Sequence, residues 1–191
     1  MNIKEEIKKR GIFLRKRWGQ NFFIGDPDKL LDLISITDRD FVIEVGTGTG
    51  NLTEKIAKRC KFIVSYEIDK RLKKMIYKNL EGVQNVEVRF MDFLKEEKFP
   101  DYDLVFFSNL PYSSGTEILK KVVRINNITR GYFMIQKELG ERIESCPSKK
   151  TYSAISVFLQ TFFSFRKLKD CLLYTSPSPR DRTRSRMPSS A

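Results

Sequence analysis

At 191 residues, with 40% hydrophobic and 31% charged side chains, the chain has the length of one domain and the composition of a globular core. It contains no histidine, which excludes Ser-His-Asp and Cys-His nucleophiles and His-ligated metals, and Cys60, Cys146 and Cys171 lack paired or metal-like spacing. The net charge is +12, no apolar run reaches the roughly 18 residues that span a bilayer, and the basic amino terminus lacks the apolar stretch of a secretory leader.

The elements follow in chain order. Asp26 and Pro27 open a helix running to about Ile34, with Asp as cap and Pro in the first turn. Phe41–Val45 reads as a buried strand, followed by a glycine loop and a helix over about Leu52–Arg59. Strand Phe62–Tyr66, helix Lys70–Asn79, and strands Val86–Phe90 and Leu104–Phe107 come next. Then come helix Thr116–Val123, strand Gly131–Ile135, helices Glu138–Ile143 and Ala154–Thr161, and a strand near Phe162–Phe165. Strands alternating with helices at this spacing predict an α/β doubly wound, mostly parallel sheet, whose ligands bind at the carboxyl ends of the strands. After Asp170 the periodicity stops. Residues 171–191 turn rich in Ser, Pro and Arg and are expected to be a non-native, disordered tail outside the fold.

The charge is unevenly placed. Residues 1–18 and residues 166–191 each carry seven Lys/Arg against two acids, while the stretch between them is close to neutral. A near-neutral body with a basic arm fits a phosphate-rich partner, although a solvated arm has the same composition. Scattered cysteines suit a reducing, cytoplasmic compartment.

Three strand ends carry the candidate chemistry. Glu44-Val-Gly46-Thr-Gly48-Thr-Gly50 closes a strand and opens a helix, and its glycines let backbone turn sharply and approach a ligand. The dinucleotide fingerprint wants glycine at position 51, where this chain has Asn51. Glu44 is expected to put negative charge beside the loop, disfavouring phosphate and tolerating a sulfonium. Glu67 ends the second strand, placed to accept ribose hydroxyls, a role that also fits NAD. Asp92 follows the third strand and can accept an adenine amine, with Phe93 as an apolar contact. Ordinary strand-end carboxylates are the plain alternative for both acids.

Asn109-Leu110-Pro111-Tyr112 follows the fourth strand; alone it reads as a turn. Beside the loop and the two acids it reads as catalytic. The amine of adenine is a poor nucleophile, because its lone pair is delocalised into the ring. The Asn109 carboxamide oxygen and a carbonyl of Leu110 or Pro111 can accept its two N–H bonds and stabilise the charge that develops. Pro111 fixes the backbone, and Tyr112 can stack on an extruded base.

These segments resemble the ribosomal RNA adenine N6-dimethyltransferase family. The resemblance rests on Arg17-Trp-Gly-Gln-Asn-Phe-Phe23, Val42–Thr53, Glu67-Ile-Asp69, Asp92-Phe-Leu94, Asn109–Tyr112, Phe133–Glu138 and Tyr152–Gln160, in the family's order over residues 15–165. It implies a Rossmann-like methyltransferase sheet that binds S-adenosylmethionine through Asn21, Phe23, Gly46, Gly48, Glu67, Asp92 and Asn109. Asn109 and Tyr112 would also serve the target adenine. Residues 1–25 would form a basic arm and cofactor lid, and residues 26–170 the methyltransferase domain. From the residues alone, Gln20-Asn-Phe-Phe23 is an aromatic patch that suits a core better than a lid.

The resemblance further implies a monomeric, cytoplasmic enzyme of ribosome biogenesis acting on ribosomal RNA, without membrane or metal. Its expected product is two adjacent dimethyladenines in the 3'-terminal hairpin of small-subunit RNA. A large-subunit enzyme of the macrolide-resistance type is the alternative within the family; a non-catalytic RNA-binding assembly factor and an NAD oxidoreductase are alternatives outside it. Family-like sequence stops near Lys169, so the last strand of the sheet and a C-terminal helical domain are expected to be missing.

Overall fold

The computed structural model describes Phe22–Phe23, residues 25–170 and Leu173–Tyr174. Five parallel strands form the sheet: β2 (Phe41–Val45), β3 (Phe62–Tyr66), β4 (Val86–Arg89), β5 (Leu104–Asn109) and β6 (Ile128–Met134), ordered β4-β3-β2-β5-β6. A two-residue strand, β1 (Phe22–Phe23), pairs antiparallel with β7 (Leu173–Tyr174) as a separate ladder. Apart from that pair, the expected tail lies outside the described residues. The helices are α1 (Pro27–Leu31), α2 (Asn51–Ala57), α3 (Lys73–Asn79), α4 (Gly115–Val122), α5 (Lys137–Ile143) and α6 (Ala154–Phe162).

Helices cover both faces, so the strands are apolar on both sides. Along β2 and β5 the side chains alternate between two cores. Val42, Val105 and Phe107 meet Leu30, Leu31 and Ile56 of α1 and α2. Ile43, Leu104 and Phe106 meet Ile118, Leu119, Ile143 and Leu159 of α4, α5 and α6. The strand order reverses at β2, where β3 and β5 flank it, and this switch point opens the crevice in which such sheets hold ligands.

The departures from the sequence expectation with a clear physical reason include these. Helix α1 ends at Leu31 because the chain turns early, with Leu33 N bonding Leu30 O, and then anchors Ser35 on Tyr132 Oη at 3.0 Å. Strand β6 starts at Ile128, across a register irregularity between Leu104 and Val105, where the polar run Thr129-Arg130 hid it from an apolar pattern. The strand expected near Phe162–Phe165 does not form. Phe162 closes α6, and Phe163 and Phe165 lie against the α4–α6 core by their rings, without a ladder to β6. Alternating phenylalanines meet a core equally well from an irregular segment. No described strand therefore lies beyond β6 in the sheet.

No described helix is long and apolar enough to cross a membrane, and no described group of three or more Cys, Asp or Glu side chains is placed to hold a metal.

Candidate active site

The glycine loop is built around left-handed backbone. Gly46, Gly48 and Gly50 have φ of 92°, 59° and 86°, a region costly for side chains with a Cβ. The loop is tied to the next strand end by Gly46 N to Tyr66 O at 2.9 Å and Gly48 N to Glu67 Oε2 at 2.8 Å. It is tied to α3 by Asn79, whose amide donates to Thr49 O at 2.8 Å and to Asn51 Oδ1 at 2.9 Å. Asn51, where the dinucleotide pattern has glycine, is thus a structural acceptor.

Glu67 is 5% exposed, and both its carboxylate oxygens already accept backbone N–H, from Gly48 and from Asp69 at 2.8 Å. Each oxygen retains a second lone pair for a ligand hydroxyl. Burial, with the neighbouring Asp69 charge adding to it, pushes the Glu67 carboxyl up to about 7 against the backbone N–H groups of Asp69, Gly48 and Ile68, which favour ionisation. Asp69 is fully buried and is held by Arg71 at 2.6 Å.

Glu44 has a different part from the one expected. It is 1% exposed, and its Oε2 accepts from Thr53 Oγ1 at 2.6 Å and Ser65 Oγ at 2.5 Å. Ser65 Oγ in turn lies 2.6 Å from Thr47 Oγ1. Burial pushes the Glu44 carboxyl up to about 7, so near neutrality it is partly protonated and supplies less negative charge than the sequence expectation required. It acts as a buried polar knot joining β2, β3, the loop and α2.

Asp92 sits after β4 and caps a short 3-10 turn, with Oδ1 accepting Leu94 N at 2.9 Å. Phe93 is not the expected ligand contact. It is 2% exposed and packs among Tyr66, Phe99 and Phe106, because the turn that Asp92 caps points the ring into the core.

The Asn109–Tyr112 turn begins on the last residue of β5, so Asn109 is held by the ladder, opposite Met134 of β6. Leu110 is buried and its N–H bonds Met134 O at 3.0 Å, while Pro111 O accepts Gly115 N at 2.9 Å. Tyr112 is 41% exposed. The loop and the turn meet as backbones: a Cβ built on Gly46 would lie 3.4 Å from Asn109 O.

The structure thus brings Gly46, Gly48, Glu67 and Asn109 to one rim, with Asp92 at the end of β4. Phe23 packs partly buried on the α1–α2 core, and Asn21 lies outside the described residues. Sequence reasoning missed two contributors. Ile68, between Glu67 and Asp69, is 43% exposed, an apolar surface on the strand-end loop. A cavity of about 220 Å³ lies beside the Asn109–Tyr112 turn, with α5 as its far wall. A larger cavity of about 480 Å³ follows β6 and residues 163–170 but touches none of Gly46, Glu67, Asp92 or Asn109. The smaller one is lined by Leu110, Pro111 and Tyr112, three of the residues expected to be catalytic.

A parallel sheet covered on both faces, with a glycine loop at its switch point and acids on the next strand ends, defines a Rossmann-like methyltransferase domain. The family model described as ribosomal RNA adenine dimethylase matches residues 13–180, and the chain belongs to that family. Ribosomal RNA small subunit methyltransferase A of Thermotoga petrophila is 39% identical over 172 residues, covering 89% of this chain and 65% of that protein. The protein of the same name from Bacillus pumilus is 37% identical, covering 85% of this chain and 59% of its own length. The chain therefore spans less than two thirds of these relatives. Among solved structures, a dimethyladenosine transferase from Plasmodium falciparum superposes with a TM-score of 0.63 at 31% identity, over 70% of this chain and 49% of that one. The 23S rRNA methyltransferase ErmE does so with a TM-score of 0.56 at 28% identity, over 63% and 50%.

Proposed function

We propose that the chain transfers methyl groups from S-adenosylmethionine to the exocyclic amine of adenine in ribosomal RNA, dimethylating two adjacent adenines in the 3'-terminal hairpin of the small-subunit RNA. The observation that carries this reading is the approach of the Gly46 loop to the Asn109 backbone. It sets a nucleoside-binding loop against a turn rich in hydrogen-bond acceptors.

The cofactor's sulfonium supplies an electrophilic methyl group. The residues of this chain do the rest. Glu67 accepts the ribose hydroxyls with its second lone pairs, and Asp92 accepts the adenine amine of the cofactor. The Asn109 carboxamide oxygen accepts one N–H of the target amine. Pro111 O is engaged by Gly115 N, so the Leu110 carbonyl is assigned the other. With both N–H bonds held, the nitrogen lone pair turns toward the methyl group, and charge developing on nitrogen is stabilised. Tyr112, exposed at the rim, stacks on the extruded base. The proton leaves to solvent after transfer, so the absence of histidine is no obstacle.

The names of the relatives support the small subunit over the large. Residues 26–170 serve as the catalytic domain in this reading and residues 1–25 as a basic arm and lid, with no part assigned to residues 171–191. The enzyme works as a monomer in the cytoplasm, with ribosomal RNA as its partner. The test is incubation with labelled S-adenosylmethionine and separate immature 30S and 50S particles. Label in the 30S RNA is the expected result. Label confined to 50S RNA makes the chain a large-subunit enzyme, and binding without label makes it an assembly factor.

A further inference from the structure

The segment Tyr152–Gln160 has no part in the mechanism above, yet two of its side chains end on a neighbouring helix. Helix α5 has seven residues, and no side chain caps its start at Gln136. So short a helix is marginal alone, and its last carbonyls need partners. Helix α6 supplies them. Ser156 Oγ donates to Arg142 O at 2.5 Å, and Gln160 Nε2 donates to Ile143 O at 2.6 Å and Ser145 O at 3.0 Å. Ser156 is fully buried, its helix starts with a Ser153–Ser156 capping box, and Leu159 and Ile143 are buried in one core.

Helix α5 is also the far wall of the cavity beside the catalytic turn. Gln136, Leu139 and Arg142 face Leu110, Pro111 and Tyr112 across about 220 Å³. The same turn of α5 that presents Arg142 to the cavity has its carbonyls held by α6.

We infer that Ser156 and Gln160 are positioning residues that fix α5, and with it the Gln136–Arg142 wall, at the width an adenine nucleotide requires. The inference rests on the proposed methylation of RNA adenine. The wall's chemistry fits that ligand: Leu139 offers apolar contact to a base, Gln136 and Glu138 an amide and a carboxylate for its edge, and Arg142 a cation for the adjoining phosphate.

The test uses the full chain and three variants. Gln160→Glu keeps the shape but loses the donors and sets a carboxylate against carbonyls at a helix carboxyl end, where negative charge is disfavoured. Gln160→Lys keeps a donor there. Asn85→Ala is the control, because Asn85 makes the same kind of amide clamp, to Ala57 O, Cys60 O and Lys61 O, at the other end of the sheet. Gln160→Glu should raise the KM for RNA by about fivefold to tenfold, the loss of two part-buried hydrogen bonds and their replacement by a repulsive contact, and leave cofactor affinity unchanged. Gln160→Lys should restore most of the loss, and Asn85→Ala should leave the KM near the parent value even where its melting temperature falls as far. Parent-like KM in Gln160→Glu, or an equal rise in Asn85→Ala, overturns the inference. If the parent transfers no methyl group to any RNA, the proposed activity fails. The same variants are then compared by binding of a short fluorescent adenine-bearing RNA, which needs no turnover and is read against the same outcomes.

Discussion

The two halves of the rim are built by opposite means. On the β2–β3 side the polar groups are buried and bonded to one another: Glu44 to Thr53 and Ser65, Glu67 to Gly48 and Asp69, and Asp69 to Arg71. On the β5–β6 side the turn is fixed through its backbone, Tyr112 stands open, and the opposite wall is a short helix held from behind. The first half is organised before any ligand arrives; the second is left accessible to a large one. In the proposed function, a small nucleoside cofactor is enclosed by the folded network, whereas a base delivered on RNA enters from solvent. The same fold thus provides rigidity on one side of the switch point and access on the other.

The sharpest way to break this contrast is Asn109→Ala. It should lower methyl transfer by a hundredfold or more, about 3 kcal/mol, when measured at saturating S-adenosylmethionine, with RNA affinity changing far less. Wild-type turnover would remove the turn from the chemistry.

The buried half should announce itself in pH. Glu44 and Glu67 both have folded values pushed up to about 7 from an ordinary 4.5, so the folded state holds protons that the unfolded chain releases. Their contribution is fully present below pH 4.5 and is lost as pH rises through 7, at most about 3 kcal/mol for each group. The melting temperature without ligand should therefore fall between pH 6 and pH 8, and Glu44→Gln should flatten part of that slope. Affinity for S-adenosylmethionine should move the opposite way, tightening over the same interval, because ribose hydroxyls donate to the ionised Glu67. Calorimetry at the two pH values reads both signs.

Glu67→Ala should weaken cofactor binding by about 1–3 kcal/mol, since it strips partners from ribose hydroxyls and from Gly48 N. Binding of NAD in preference to S-adenosylmethionine would contradict the assignment outright. The smallest effect belongs to the open half. Tyr112→Phe should change RNA affinity by less than about 0.5 kcal/mol, while Tyr112→Ala loses a stacking face worth about 1–3 kcal/mol. Equal losses in both would mean that the hydroxyl, not the ring, does the work.

Sequence alone determined the alternation of strands and helices, the parallel sheet, and the placing of Gly46, Glu67, Asp92 and Asn109 at its carboxyl edge. Those features are local: a run such as Phe41–Val45 buries itself in any α/β fold, and glycines between strand and helix leave few alternatives. What only the tertiary structure decided are the features that depend on partners distant in the chain. Whether Glu44 carries charge depends on Ser65 and Thr53 closing around it, and whether Phe93 faces ligand or core depends on Tyr66 and Phe106. Phe163 and Phe165 look like a strand in sequence, but a strand needs a paired ladder, and only packing shows whether one forms. The same holds for α5, whose role beside Tyr112 comes from Gln160 reaching its last carbonyls, a contact that no periodicity encodes.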